Sequence, residues 1–248
     1  TGSHGGLIAA HYAAEARVRA VAFNDAGRGR DDAGIAGLAA LARLGIPAVA
    51  VTHDSARIGD AAETLVNGIV GACNSAAAAL GAEAGMSCTA AVQRMSSCAW
   101  RTGEVPARAD ARRCVIEPDA RRSGVWLLDS IGLVTPADAG ATLVVGSHGA
   151  LHGGDAATAL RVDARAAIFH DAGRGKDDAG VTRLPVLAQR GIAAAAVDFR
   201  TARIGDAASM WANGVLSVVN AVAAARDVRA GMPVRDAVER LRQKAAGG

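Results

Sequence analysis

The sequence predicts an α/β fold: a tandem pseudo-twofold duplication of one β-α-β-α-β-α unit with mainly parallel sheets. Two observations predict it, a long internal repeat and short apolar segments that alternate with helical ones in each copy. The chain has 248 residues, of which 51% are hydrophobic and only 3% aromatic. We therefore expect a core of small aliphatic side chains.

The repeat is clearest in a glycine-rich segment. Residues 23–34 (FNDAGRGRDDAG) return 146 positions later as residues 169–180 (FHDAGRGKDDAG), and Gly-Ser-His-Gly occurs at both 2–5 and 146–149. We interpret this as one repeat over residues 1–94, a linker over 95–140 that holds the start of the second repeat, and a second repeat over 141–248. Because Val145 aligns with Thr1, the lead-in strand of the first repeat is expected to be missing.

Apolar periodicity gives the elements of each copy. In the first copy it predicts helices over residues 5–16, 32–44 and 60–80, the last long and rich in alanine, and strands over 18–23 and 48–52. In the second copy it predicts strands over 125–131, 141–145, 166–169 and 192–197 and a long helix after 205. Short apolar strands between helices are typical of a parallel sheet that is covered on both faces.

Composition excludes several classes of protein. The net charge of +3 comes from 27 basic and 24 acidic residues spread along the chain, so we expect no nucleic-acid partner. No apolar run reaches the ~18 residues of a membrane span, so no membrane partner is expected either. Four cysteines without metal-site spacing suggest reduced thiols in a cytoplasmic protein. The long apolar helices suggest a homo-oligomer.

Chemistry is expected where loops follow the strands, because the carboxyl ends of parallel strands meet at one edge of a sheet. Asp25 and Asp171 follow buried strands directly, which suits acid–base work, although such an Asp can also simply brace its own glycine-rich turn. The histidines cluster in the same loops. The predicted catalytic residues, expected to line one polar cleft, are His4, Asp25, His148, His170 and Asp171.

The Gly-Ser-His-Gly loops are predicted to hold a small anion, because small residues let backbone amides at a helix start face a carboxylate. The alternative is that each Ser only caps its helix. Arg57 and Arg203 either pair with the Asp three residues later or bind a substrate carboxylate. The predicted substrate-binding residues are Gly2, Ser3, Gly5, Asn24, Arg57, Ser147 and Arg203.

The two copies differ within these loops. Asn24 corresponds to His170 and His53 to Phe199, and His53 is either a turn-bracing residue or a functional one. We expect no cofactor and no metal. The alternative is a divalent ion on His148 and His152, which would share one helical turn if that segment were helical.

These features predict a hydrolase that acts on a small polar substrate, carboxylated and with a C–N or similar bond, in a cleft formed by glycine-rich loops of both repeats. One alternative is an isomerase or racemase that takes an acid and a base from the two halves. Another is a module that binds a small anion without catalysis. Thr1 lies beside Gly-Ser-His-Gly, where it is either an N-terminal nucleophile or an ordinary residue.

Overall fold

The computed structural model describes residues 1–100, 112–117 and 124–242. It is a mixed α/β protein with one three-stranded and one six-stranded sheet, which confirms the predicted class. The chain divides into two compact units. The first consists of Thr1–Asp110 and Ala172–Gly180, and the second of Ala111–Asp171 and Val181–Gly248. The glycine-rich segment of the second repeat therefore packs with the first unit.

In the first unit β1 pairs parallel with β2, and β2 pairs antiparallel with β3. The strands are β1 (Val21–Asn24), β2 (Ala48–Val51) and β3 (Val70–Cys73). The helices are α1 (Leu7–Glu15), α2 (Ala36–Arg43), α3 (Ala61–Asn67), α4 (Ser75–Ala78) and α5 (Cys88–Met95), with a 3-10 turn at Arg30–Asp32.

The second unit holds the six-stranded sheet, in the order β4-β5-β6-β7-β8-β9, parallel from β5 to β8 and antiparallel at both ends. Its strands are β4 (Arg113–Glu117), β5 (Val125–Leu128), β6 (Thr142–His148), β7 (Ala166–His170), β8 (Ala193–Val197) and β9 (Leu216–Val219). Its helices are α6 (Arg183–Gln189), α7 (Ala207–Asn213), α8 (Ala221–Ala224) and α9 (Val234–Arg242). Short 3-10 segments of this unit lie at Ile131–Leu133, Pro136–Asp138 and Ala156–Thr158, whereas the 3-10 segment Lys176–Val181 lies mostly in the part of the chain that belongs to the first unit.

Small side chains build the core, as the composition predicts. Every residue of β2 and of β8 is buried, and each strand contributes to hydrophobic clusters on both faces of its sheet. Burial on both faces explains why these strands have continuous apolar sequences instead of alternating ones.

The two long helices predicted after Asp60 and Asp206 are wrong. In the first unit α3 ends at Asn67, because the backbone of the next residue, Gly68, is extended (φ −62°, ψ 136°). The chain then forms the edge strand β3 before α4 begins. The second unit repeats this break, with α7 ending at Asn213 and β9 following. The extended apolar helix surfaces that suggested a homo-oligomer are therefore absent from both described segments.

The helix expected after the second Gly-Ser-His-Gly is also absent. Residues 149–165 contain only the 3-10 turn Ala156–Thr158, and Gly153 and Gly154 have positive φ angles of 58° and 76° that no right-handed helix accommodates. His148 ends β6 as part of the strand, so His148 and His152 do not share a helical turn.

Within the described ranges, no helix is both long and apolar enough to cross a membrane.

Candidate functional site

The first unit pairs a carboxylate with an imidazole at the carboxyl edge of its sheet. Asp25 follows β1 and His53 lies two residues beyond β2, and these neighbouring strands are parallel, so their ends meet. The Asp25 amide donates to the carbonyl of Val51 at 2.8 Å, which continues the strand pairing up to the site. Nδ1 of His53 lies 3.0 Å from Oδ1 of Asp25.

Oδ1 of Asp25 accepts three hydrogen bonds, from the ring of His53, from the His53 amide at 2.9 Å and from the Gly27 amide at 2.9 Å. Within the described residues, Oδ2 accepts none. The Asp25 side chain is buried, so its orientation is set by these backbone groups.

A carboxylate beside Nδ1 selects the tautomer of His53 in which Nδ1 carries the hydrogen and Nε2 is the basic nitrogen. The ring is 23% exposed, and Nε2 lies 3.5 Å from the carboxylate of Asp54, which is itself 81% exposed. The pair therefore has the arrangement of a general base that is oriented from behind by a carboxylate.

The loop after Asp25 is strained. Four consecutive residues from Ala26 to Gly29 have φ between 52° and 71°, and two of them are not glycine. A left-handed backbone costs about 1–2 kcal/mol for each residue with a β-carbon. Two hydrogen bonds of 2.8 Å close the loop, from the Arg28 amide to the Asp25 carbonyl and from the Gly34 amide to the Arg28 carbonyl. Such strain persists only where surrounding contacts determine the conformation, and it is often found at functional sites.

A buried carboxylate, Glu63, lies at the start of α3 in the same unit. It accepts hydrogen bonds from Nζ of Lys176 at 2.6 Å, from Arg57 at 3.0 Å and from Asn67 at 2.9 Å. The hydrogen bond from Lys176 is the largest effect on Glu63 and lowers the pKa of its carboxyl group. Asn67 and Arg57 lower this pKa further, and the three together outweigh burial, which raises it. Lys176 comes from the segment of the second repeat that packs with this unit.

In the second unit Phe199 occupies the position that aligns with His53. Oδ1 of Asp171 accepts a hydrogen bond from the amide of Phe199 at 2.9 Å, as Asp25 does from the amide of His53. Phe199 therefore keeps the backbone contact of His53 and has a phenyl ring where His53 has an imidazole.

Asn24 and His170 occupy aligned positions and make the same kind of contact. Nδ2 of Asn24 donates to the carbonyl of Ala56 at 2.9 Å, and Nε2 of His170 lies 3.1 Å from the carbonyl of Ala202. His170 is fully buried, and this burial lowers the pKa of its imidazole despite the opposing charge of Asp171. Both side chains therefore brace the loop before α3 or α7.

His4 and His148 close turns of their own backbone. Nδ1 of His4 accepts a hydrogen bond from the Gly6 amide at 3.1 Å, and Nδ1 of His148 accepts one from the Ala150 amide at 3.2 Å. Both imidazoles are buried. His4 lies in the first unit, whereas His148, like His170 and Asp171, lies in the second.

The backbone of the first Gly-Ser-His-Gly runs alongside β1. The Gly5 amide donates to the carbonyl of Asn24 at 3.0 Å, and the Asn24 amide donates to the carbonyl of Ser3 at 2.9 Å. The Gly59 amide donates to the carbonyl of Gly2 at 2.7 Å. The amides of Gly5 and Gly6, which were expected to face an anion, thus bond within the chain. In the second copy the Ser147 hydroxyl accepts a hydrogen bond from the Ile131 amide.

Two further predicted residues have local partners. Arg203 pairs with Asp206 at 3.1 Å, as the local alternative predicts. Arg57 lies 4.0 Å from the aligned Asp60 and contacts Glu63 and Asp177 more closely.

Thr1 lies alongside β1. Its hydroxyl accepts a hydrogen bond from the Ser3 amide at 3.2 Å, and its amine donates to the carbonyl of Ala22 at 3.0 Å.

The rings of His148 and His152 lie edge to face with centroids 5.9 Å apart. Over the part of the chain that the structure describes, no three His, Cys, Asp or Glu side chains are grouped as metal ligands. Nε2 of His152 instead lies 3.3 Å from the guanidinium of Arg183.

The contact between His53 and Asp25 was not predicted from the sequence. The sequence analysis identified His53 as a difference between the copies but did not include it among the catalytic candidates. The signal was present, because His53 follows a strand expected to lie beside the strand that precedes Asp25.

No protein-family model matches the chain, and no curated protein or solved structure is significantly similar to it. We therefore infer function from the geometry of the site.

Proposed function

We propose that the protein is a hydrolase for a small polar, carboxylated substrate with a C–N or similar bond, and that Asp25 and His53 form its catalytic pair. The contact of 3.0 Å between Asp25 Oδ1 and His53 Nδ1 is the observation that carries the proposal. In this role the two side chains act together, while His4, His148, His170 and Asp171 hold loops in place.

In the proposed reaction, Nε2 of His53 removes a proton from a water molecule while the water oxygen attacks the carbon of the C–N bond. Asp25 holds Nδ1 and stabilises the imidazolium that forms. The imidazolium then gives its proton to the leaving nitrogen as the C–N bond breaks, so one water is consumed and an acid and an amine are released. General acid–base catalysis of this kind contributes about 10²–10⁴-fold to a rate.

Two observations favour hydrolysis of a carboxylated compound. The carboxylate–imidazole pair of Asp25 and His53 suits the activation of water, and the position that aligns with His53 in the second unit carries Phe199. Arg57 is the side chain proposed to bind the substrate carboxylate, which would replace Asp177: that carboxylate binds Nη1 of Arg57 at 2.9 Å and is 61% exposed.

We also propose that the chain arose by tandem duplication. Asn74 and Asn220, which are 146 positions apart, support this because they make matching sets of hydrogen bonds. Each caps a short helix and accepts from a strand amide, and each donates to two carbonyls that are themselves 146 positions apart.

We also propose that the protein is a homo-oligomer and that it is located in the cytoplasm. Exposed apolar side chains near the end of α3, from Leu65, Val66 and Ile69, support self-association. Four free cysteines support a reducing compartment. Light scattering at micromolar concentrations should give a mass above the 24.8 kDa of one chain.

The hydrolase is tested with His53→Phe, because the second repeat places Phe at the aligned position. N-acyl amino acids, lactams and amidino acids are incubated in ¹⁸O-water and analysed by mass spectrometry. We expect the wild type to place one ¹⁸O on the carbon of the cleaved C–N bond, and His53→Phe and Asp25→Asn to be slower by at least about 10²-fold.

His11→Phe is the matched control, because His11 is another histidine of the first unit and pairs with Glu15 on α1. This variant should hydrolyse the substrate at the wild-type rate. Full activity in His53→Phe would overturn the role of the pair. Deuterium entering unchanged substrate from D₂O, without hydrolysis, would point to the isomerase instead.

A further inference from the structure

The glycine-rich segment of the second repeat lies against His53. Residues Ala172–Gly180 belong to the first unit, and they contact His53 at its ring and at its backbone. His53 is therefore held by Asp25 of its own repeat and by a segment nearly 120 residues further along the chain.

Gly173 packs closely against the imidazole of His53. A β-carbon on Gly173 would lie 3.0 Å from Cδ2 and 3.2 Å from Nε2 of His53, and 3.1 Å from the α-carbon of Gly27. Gly173 also has a φ of 73°, which disfavours any side chain. A side chain at Gly173 would require the His53 ring or the backbone of Gly27 to shift by a few tenths of an ångström.

Lys176 binds the glycine-rich segment that contains Gly173 to the rest of the first unit at two points. Its amide donates to the carbonyl of His53 at 2.9 Å, and its ammonium donates to the buried carboxylate of Glu63 at 2.6 Å. Asp177, the next residue, pairs with Arg57 at 2.9 Å. A hydrogen-bonded ion pair with one buried partner holds a loop better than an exposed pair does.

We propose that Gly173 and Lys176 are positioning residues for His53, so that the second repeat supplies part of the site of the first. Gly173 limits the imidazole to the orientation that reaches Asp25, and Lys176 holds Gly173 in place. The effect on catalysis rests on the proposed function, whereas the effect on the orientation of His53 does not.

The test compares Gly173→Ala with Gly191→Ala in the full chain. Gly191 has a matching φ of 69°, and a β-carbon there meets nothing within 4 Å, so the control carries the same backbone strain without the contact. Proton and ¹⁵N NMR of the histidines reports the hydrogen on Nδ1 of His53 that bonds to Asp25. We expect this signal in the wild type and in Gly191→Ala, and its loss in Gly173→Ala.

Lys176→Met provides a second variant that keeps glycine in the loop, and Lys176→Arg restores the charge. We expect Lys176→Met to weaken the Nδ1 signal and Lys176→Arg to recover it. If the hydrolase assay succeeds, Gly173→Ala should lower kcat by less than about 10²-fold, the loss for a displacement of about 1 Å, with little change in KM.

An unchanged Nδ1 signal in both Gly173→Ala and Lys176→Met would overturn the positioning role. Loss of the signal in a protein that hydrolyses nothing would refute the proposed function while supporting the positioning role. The two proposals can therefore fail independently.

Discussion

Gly37 and Arg183 occupy aligned positions of the two repeats and make the same backbone hydrogen bond, but the chain segments packed around them differ. The Gly37 amide donates to the carbonyl of Gly5 at 2.9 Å, and the Arg183 amide donates to the carbonyl of Gly149 at 2.8 Å. In the first unit α1 packs closely on Gly37. In the second unit no α-helix directly follows Gly149, and the aligned residue, Arg183, has a large side chain that is fully buried.

Arg183 is fully buried without a carboxylate partner among the described residues. Its guanidinium donates to the carbonyls of Thr158 and Ala159 and lies 5.7 Å from the ring centre of Phe169. Burial lowers the pKa of Arg183 to about 10. Because this value is still above neutral pH, the side chain is charged there. The buried charge therefore serves to anchor the irregular segment after β6.

We expect Arg183→Met to loosen residues 150–160. Methionine replaces the aliphatic part of the side chain but leaves two buried carbonyls without donors, so the free energy of unfolding should fall by about 1–3 kcal/mol. Urea unfolding measures the loss, and hydrogen exchange should localise it to this segment. Arg43→Met, at the exposed end of α2, should stay within about 0.5 kcal/mol of the wild type. Unchanged exchange in residues 150–160 would contradict the anchoring role.

Gly37→Ala should destabilise the protein, although alanine is normally the better helix residue by about 1 kcal/mol. A β-carbon on Gly37 would lie 2.5 Å from Cβ of Ala10 and 2.6 Å from the carbonyl oxygen of Gly6. The helices α1 and α2 would have to separate, at a cost of about 1–3 kcal/mol. Thermal or urea unfolding gives the sign directly, and a more stable variant would refute the close packing.

The buried ion pair of Glu63 predicts a pH dependence of stability. The pKa of Glu63 is below its ordinary value of 4.5 in the folded protein, first because of the hydrogen bond from Lys176. Its contribution to stability is therefore complete above the unfolded-state pKa and is lost as the pH falls through the folded-state pKa.

Glu63→Gln removes that contribution, so the difference in unfolding free energy from the wild type should be constant near neutral pH and shrink below about pH 4.5. Urea titrations between pH 7 and 3 measure it. Glu83→Gln, at an exposed position, is the control and should follow the wild type at every pH. A difference that does not change with pH would show that the ion pair does not contribute.

The cysteines should differ sharply in reactivity. Cys88 is buried at the start of α5, and this burial raises the pKa of its thiol, whereas Cys114 is exposed. Because the thiolate is the reactive form, we expect iodoacetamide to modify Cys88 at least about 10²-fold more slowly than Cys114 in the native protein. Mass spectrometry after timed quenching measures both rates. Equal rates would mean that α5 opens readily.

Much of the sheet could be predicted from the sequence. Apolar runs located β1, β2, β5, β6, β7 and β8 to within a few residues, since strands buried on both faces need continuous apolar sequences. The edge strands β3 and β9 were missed because they are four residues long and lie within alanine-rich sequence. The dipeptides Asn67-Gly68 and Asn213-Gly214 mark the helix ends, but the prediction continued through them. The strand β4 was missed because it is an edge strand whose sequence, RCVIE, has a charged residue at each end and so forms no long apolar run.

By itself, the sequence determined the α/β class, the repeated loops and the position of Asp25 at the end of a strand, because apolar periodicity and direct repetition are local properties of the chain. Only the tertiary structure decided that His53 is the partner of Asp25, that His170 is a buried brace, and that Gly173 and Lys176 lie against His53. These contacts join residues 28 to 123 positions apart in the chain. Spacing in the sequence does not carry that information, because it depends on how strands and loops pack in three dimensions.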